Sequence, residues 1–301
     1  MPLAHTAFLF PGQASQYVGM GRQVLESRPD MGVYFDIASD ILRQDVRKLM
    51  FEGPLETLTQ TEYAQPAILL ASYISYKLFN QVPETAAGHS LGEFSALCAA
   101  GALCFADAVE LVNKRGKYMQ EACPVGEGKM AAVIGASLQV IEDRLEQEGN
   151  PVNIANINSP IQIVLSGQAD AIGKMKELFA DFRVVELKVS APFHSDLMAP
   201  AADLLAADLE RIEIKEPAFP VYANVTAKPY TSVAQIRKLL VDQVTKPVLF
   251  THTIANMKQQ GIEQFIEVGP NKVLTGLLKR IDRKIKRRNI ETAEDVAAFS
   301  A

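Results

Sequence analysis

The sequence predicts an α/β protein: a large layer on a mainly parallel sheet, with a small ferredoxin-like unit inserted in it. Three observations carry this reading. Short apolar runs alternate with longer stretches whose apolar residues recur at helical spacing, the pattern of a parallel sheet covered by helices on both faces. Residues 129–189 break that alternation with the order β-α-β-β-α-β, the split ferredoxin-like arrangement. Finally, Gly88-His89-Ser90-Leu91-Gly92 fits G-x-S-x-G between a short strand and a helix. The expected division is a large domain of residues 1–126 and 196–301 and a small domain of residues 127–195.

The elements follow in order. Ala7–Phe10 is an apolar run stopped by Pro11-Gly12, a buried first strand. Met20–Leu25, Val33–Leu42 and Ala67–Phe79 read as helices punctuated by Gly53-Pro54 and Gln65-Pro66. Val82–Ala87 reads as a strand, weakened by Pro83 and Glu84. Helices follow over Leu91–Ala100, ended by Gly101, and over Ala106–Ala122. Within the insert, Lys129–Ile134, Val152–Asn156, Gln162–Ser166 and Arg183–Val189 are strands, and Leu138–Gln147 and Ala169–Phe182 are helices. Beyond it, Leu197–Leu209, Val233–Val244, Thr253–Gln260 and Val273–Ile281 are helices, while Pro220–Asn224 and Gln264–Val268 are strands. The small, acidic tail from Ile290 to Ala301 reads as a disordered end or a linker remnant.

Composition narrows the function classes. Of 301 residues, 48% are hydrophobic and 22% charged, as in ordinary globular proteins. A net charge of −5 gives no general attraction to nucleic acid or an anionic membrane. Cys98, Cys104 and Cys123 match no zinc spacing, cannot all pair, and read as reduced thiols of a cytoplasmic protein. Neither a secretory signal nor a membrane span is expected.

The G-x-S-x-G motif has a clear physical use. Small residues around the serine let the chain bend sharply and push its hydroxyl into a cleft. The helix that follows offers unpaired N–H groups to an oxyanion. A serine needs a base, and four histidines are available: His5, His89, His194 and His252. His5 lies at the start of the chain, His89 on the turn itself, and His252 at a helix start. His194 leaves the last strand of the insert, where it could reach a cleft, although such a histidine is more often structural. No acidic residue stands out as a third triad member; a carbonyl could orient the ring instead. Arg115, on the next helix, would bind a substrate carboxylate if it faced the cleft, yet most helical arginines are solvated.

Several segments occur in one order: Phe10-Pro11-Gly12-Gln13-Ala14-Ser15-Gln16, Gly88-His89-Ser90-Leu91-Gly92-Glu93-Phe94-Ser95, Arg115-Gly116, Asn156-Ile157-Asn158-Ser159-Pro160, Pro192-Phe193-His194-Ser195, Asn224-Val225-Thr226, Gln243 and Glu267-Val268-Gly269-Pro270-Asn271-Lys272. The ordered set strongly resembles malonyl-CoA:acyl carrier protein transacylases and the related acyltransferases of polyketide synthases, from residue 7 to about 281. The resemblance implies an α/β-hydrolase-like large domain with a ferredoxin-like insert. It implies Ser90 as the acyl-accepting nucleophile, His194 as base and then acid, and the Gln243 main-chain carbonyl as the group that holds the imidazole. It further implies oxyanion donors at the Gln13 and Leu91 N–H groups and a malonyl carboxylate on Arg115. No metal or other cofactor is implied, since malonyl-CoA is a substrate, and the chain is expected to act as a monomer.

Ala14 and Asn271 stand where many members have glycine, and Phe193 resembles malonyl-selective members. Residues 279–288 hold seven basic residues against Asp282, so Lys279, Arg280, Arg283 and Lys284 could steer an acidic carrier protein; a solvated helix end is the equal or better reading. The alternative function is an acyl hydrolase that clears stalled carrier proteins, whose relatives tend to lose the arginine. A scaffold with a dead site and a secreted esterase fit less well. Fatty acid and polyketide pathways share every residue named.

Overall fold

The computed structural model describes residues 2–149 and 151–300. Strands β1 (Leu3–Phe10), β2 (Pro83–Gly88), β7 (Val221–Tyr222), β8 (Gln264–Val268) and β9 (Lys286–Ile290) form a parallel sheet in the order β7-β2-β1-β8-β9. Alternation along β1 feeds both faces: Phe8 and Phe10 enter one core, Ala7 and Leu9 the other. The first face is covered mainly by α1 (Arg22–Ser27), α2 (Gly32–Leu42), α3 (Val46–Glu52), α4 (Leu55–Thr59), α5 (Thr61–Phe79), α6 (Leu91–Ala99), α7 (Phe105–Glu121), α11 (Ala199–Leu209) and α12 (Val233–Thr245). The second is covered by α13 (Phe250–Gln259) and α14 (Val273–Ile281).

The small unit is an antiparallel sheet of β3 (Gly128–Ile134), β4 (Val152–Ser159), β5 (Gln162–Gln168) and β6 (Arg183–Glu186), in the order β4-β5-β3-β6. Its helices α8 (Leu138–Glu148), α9 (Ala169–Gly173) and α10 (Met175–Leu178) pack on one face, against Ala131, Val133, Ile163 and Leu165. Met130, Ala132 and Val164, on the other face, join the large core and line a cleft. Its two ends meet: a Cβ at Gly128 would lie 2.3 Å from the Pro192 ring. A parallel bridge from Asn156 to Val248 ties the sheet to the large layer.

Three expectations change. Pro66 does not break the chain but lies inside α5. A proline there leaves the carbonyl of Glu62 without its helical N–H, and the Asn113 side chain on α7 donates to that carbonyl at 2.8 Å. The helix expected over 169–182 splits at Gly173-Lys174, where short-range turn bonds (Glu177 N–H to Lys174 O, 3.1 Å) replace the α ladder. The described part of the tail is not a disordered end: Ile290 closes β9 (Lys286–Ile290) in the parallel sheet, and α15 (Ala293–Ser300) packs Phe299 against Phe79, while Ala301 lies outside the described residues. The basic run covers the exposed last turn of α14, with Lys279 and Arg280, and continues into β9.

Candidate active site

The G-x-S-x-G turn is built by backbone sterics. A Cβ at Gly88 would lie 1.8 Å from the Gly92 carbonyl carbon, and one at Gly92 would lie 1.9 Å from the Phe10 carbonyl oxygen. Only glycine lets strand, turn and helix approach this closely. Ser90 is forced to φ 51°, ψ −108°, a conformation rare outside glycine. Asn224 holds the bend: its Oδ1 accepts from Ser90 N–H and its Nδ2 donates to Gly88 O, both at 2.7 Å.

Ser90 Oγ lies 2.9 Å from His194 Nε2. His194 Nδ1 lies 2.7 Å from the Gln243 carbonyl, which accepts only, so the proton sits on Nδ1 and Nε2 is the acceptor facing the hydroxyl. His194 also has positive φ, 57°, and is 3% exposed. Burial, and then the nearby Arg115 charge, push its pKa down to about 3, so the imidazole stays neutral. The other histidines are occupied elsewhere or exposed: His89 Nε2 pairs with Asn158 Oδ1 at 2.7 Å, His5 Nδ1 with Gly261 O at 3.1 Å, and His252 is exposed on α13.

Arg115 is 1% exposed, which decides against the solvated reading. Its N–H groups donate to Gln65 Oε1 (2.6 Å), Gln243 Oε1 (2.9 Å) and Ser90 Oγ (3.1 Å). Its guanidinium lies 5.3 Å from the centroid of Phe94, and its Nε has no partner among the described residues. Burial lowers its pKa to about 10, which leaves it charged at neutral pH. Gly116 sets its place: a Cβ there would meet Thr61 O at 2.6 Å, so α7 lies directly on the first turn of α5.

Gln13 and Leu91 both line the cleft, of about 490 Å³, together with Ser90, Arg115 and His194. Leu91 is the first residue of α6, so its N–H has no carbonyl one turn back. The loop carrying Gln13 is pressed on the turn, since a Cβ at Gly12 would lie 2.3 Å from His89 O. Ala14 has φ 78° and Asn271 φ 69°, which explains why glycine suits both places. Lys272 and Arg280 stand at the cleft, whereas Lys279, Arg283 and Lys284 are not among its lining residues. Among the described residues, no cluster of three or more His, Cys, Asp or Glu is placed to hold a metal ion, and no helix is long and apolar enough to cross a membrane.

The sequence reading missed Glu93, Gln65, Tyr230 and Asn158 as parts of the site. Glu93 carries a misleading signal: Ser90-Leu91-Gly92-Glu93 has the capping-box pattern. The structure diverts both ends of that box. Ser90 N–H goes to Asn224, and the fully buried Glu93 carboxylate accepts from Tyr230 OH, Gln243 Nε2 and Asn224 N–H. Desolvation lifts its pKa to about 7 against these bonds.

Residues 7–298 match the acyl transferase domain family. The malonyl CoA-acyl carrier protein transacylase of Bacillus subtilis (strain 168) is 44% identical over 303 residues, covering 98% of this chain and 96% of the relative. The structure of the malonyl CoA-acyl carrier protein transacylase from Coxiella burnetii superposes with a TM-score of 0.95 at 40% identity, covering 98% of this chain and 96% of that one. A malonyl-transacylase in complex with its type II polyketide synthase acyl-carrier protein gives a TM-score of 0.94 at 39% identity, covering 97% and 98%.

Proposed function

This chain belongs to the acyl transferase domain family, and from that premise we infer that it moves a malonyl group from malonyl-CoA, through an acyl-serine, to the phosphopantetheine thiol of an acyl carrier protein. The single observation that carries the reading is a buried guanidinium 3.1 Å from a serine hydroxyl that is itself 2.9 Å from a neutral imidazole nitrogen. A plain esterase has no use for a fixed cation beside its nucleophile; a transferase that selects a half-acid does.

We propose the following course. Ser90 Oγ attacks the thioester carbonyl while His194 Nε2 takes its proton. The oxyanion is met by the Gln13 and Leu91 N–H groups, each such donor contributing about 3–4 kcal/mol. The C–S bond breaks, the imidazolium returns the proton to the CoA sulfur, and malonyl-Ser90 remains. The carrier thiol then gives its proton to His194 and attacks the ester carbonyl. The C–O bond breaks, and Ser90 is reprotonated. Main-chain N–H groups supply the polarisation, so the proposed chemistry calls on no cofactor. Arg115 Nε, without a partner among the described residues, and its terminal N–H groups hold the malonyl carboxylate. The same cation argues against the acyl hydrolase alternative. We propose that Arg280 at the cleft, with Lys279, Arg283 and Lys284 beside it in the chain, attracts the acidic carrier, and that the free thiols belong to a cytoplasmic setting.

The test is intact-mass measurement after mixing with malonyl-CoA. A malonyl adduct is expected on the native chain, released by carrier protein, and absent from Ser90→Ala. An adduct of equal yield in Ser90→Ala defeats the mechanism.

A further inference from the structure

The Gln243 amide sits between groups that cannot be interchanged. Its Oε1 accepts from Arg115 at 2.9 Å, while its Nε2 donates to Glu93 Oε2 at 2.6 Å and to the Ser90 carbonyl at 3.0 Å. A guanidinium only donates, and a carboxylate or carbonyl only accepts, so one amide orientation satisfies all three. The carboxylate that fixes it is 0% exposed and is held by Tyr230 OH and the Asn224 N–H. Arg115 makes its own hydrogen bonds to Gln65, Gln243 and Ser90, none to Glu93. The two buried charges thus face each other across one amide instead of forming a salt bridge.

That spacing has a chemical consequence. A carboxylate in direct contact would occupy the guanidinium donors that an incoming carboxylate must use. One amide away, it offsets the buried positive charge and takes none of the guanidinium donors itself, and Nε has no partner among the described residues. The imidazole is held differently, through the main-chain carbonyl of Gln243 and not its amide, while Ser90 is met by the amide at its carbonyl and by Arg115 at its hydroxyl.

We propose that Glu93 is a positioning residue: through the Gln243 amide it sets Arg115 to receive the free carboxylate of the acyl group, and so governs which acyl-CoA is chosen more than how fast the serine reacts. The proposal rests on the malonyl-transfer reading. Its test is the rate of Ser90 loading from malonyl-CoA and from acetyl-CoA in the full chain. Glu93→Gln can donate where the carboxylate only accepts, which frees the Gln243 amide to turn. The malonyl-to-acetyl ratio of kcat/KM is expected to fall about tenfold, chiefly through KM for malonyl-CoA, as for loss of one hydrogen bond to a charged group. Glu93→Asp, which keeps an accepting carboxylate, restores part of the ratio. Tyr230→Phe, which removes one donor to Glu93, shifts it the same way by about two- to threefold. Equal losses with both acyl-CoAs in Glu93→Gln overturn the proposal, as does an unchanged ratio. Should Glu93→Gln not fold, an unchanged ratio in Tyr230→Phe does the same. A native chain that takes up no malonyl overturns the reading beneath it instead, so the two failures are distinct.

Discussion

The parallel and antiparallel sheets contribute to one cleft in unlike ways. The parallel sheet is buried on both faces and ends in a turn whose geometry is dictated by contacts under 2 Å that only glycine avoids. It carries Ser90, and the helices on it carry Arg115 and Gln243. The antiparallel sheet has a small core of its own, centred on Ile141, Ile172, Met175 and Phe179, and offers its other face as a cleft wall. The segment leaving it delivers His194. The nucleophile is thus set by main-chain packing, and the base by side-chain hydrogen bonds to the opposite layer. The turn tolerates no added atom, while the core of the small unit can lose stability before the site loses chemistry.

Four experiments break or sharpen this contrast. The largest effect is expected from Gly88→Ala, because a Cβ 1.8 Å from the Gly92 carbonyl carbon cannot be absorbed by a side-chain shift. Loading should fall by more than about a hundredfold, with a loss of stability of roughly 3 kcal/mol or more, read by adduct mass and thermal unfolding. A near-normal rate would mean the turn is softer than its contacts require. Next is Arg115→Ala, expected to cut malonyl loading by about 10²–10³-fold while acetyl loading is kept or improved; unchanged rates with both acyl-CoAs would remove the guanidinium from substrate selection. In the small unit, Ile172→Ala should lower stability by about 2–4 kcal/mol yet leave the loading rate of the folded chain within about threefold. A proportional loss of rate would show that the two layers act as one body.

The smallest expected effect is one of pH. His194 is held below its ordinary 6.5 by burial, Arg115 and His89, so it stays a neutral base as the pH falls through that value. Loading from acetyl-CoA should therefore stay flat from about pH 8 to about pH 6. Glu93 is shifted the other way, to about 7, by burial, against the opposing Tyr230, Gln243, Asn224 and Arg115. It takes up a proton as the pH falls through about 7, loses its accept-only character, and malonyl selectivity should decline there. An acetyl profile with a limb at the ordinary histidine value would show that the imidazole is solvated.

Legibility in the sequence follows the same contrast. Gly88, Gly92 and Ser90 were readable because a steric rule leaves few residue choices. The alternating strands of the insert were readable because one face needs apolar side chains and the next position does not. Arg115 and His194 stand out as candidates, but only the resemblance assigns their roles, since nothing in local spacing says which way a helical arginine or a turn histidine faces. Glu93 was hidden by a pattern that local physics reads as a helix cap. The order at the end of the chain is hard to read because α15 is short and weakly apolar, and the strand before it, β9, is rich in charge: Lys286, Arg287 and Arg288 form an edge strand, where charge is tolerated and apolar periodicity is weak.

Pro66 shows how a local flaw can serve as an address. Replaced by a better helix former, α5 would satisfy its own carbonyl at Glu62, and Asn113 would lose its reason to dock there. The helix would be sounder alone and less firmly joined to the one that bears the cation. Engineering for helical regularity at this site would therefore trade away the registration of two helices, although the altered residue touches neither nucleophile nor base.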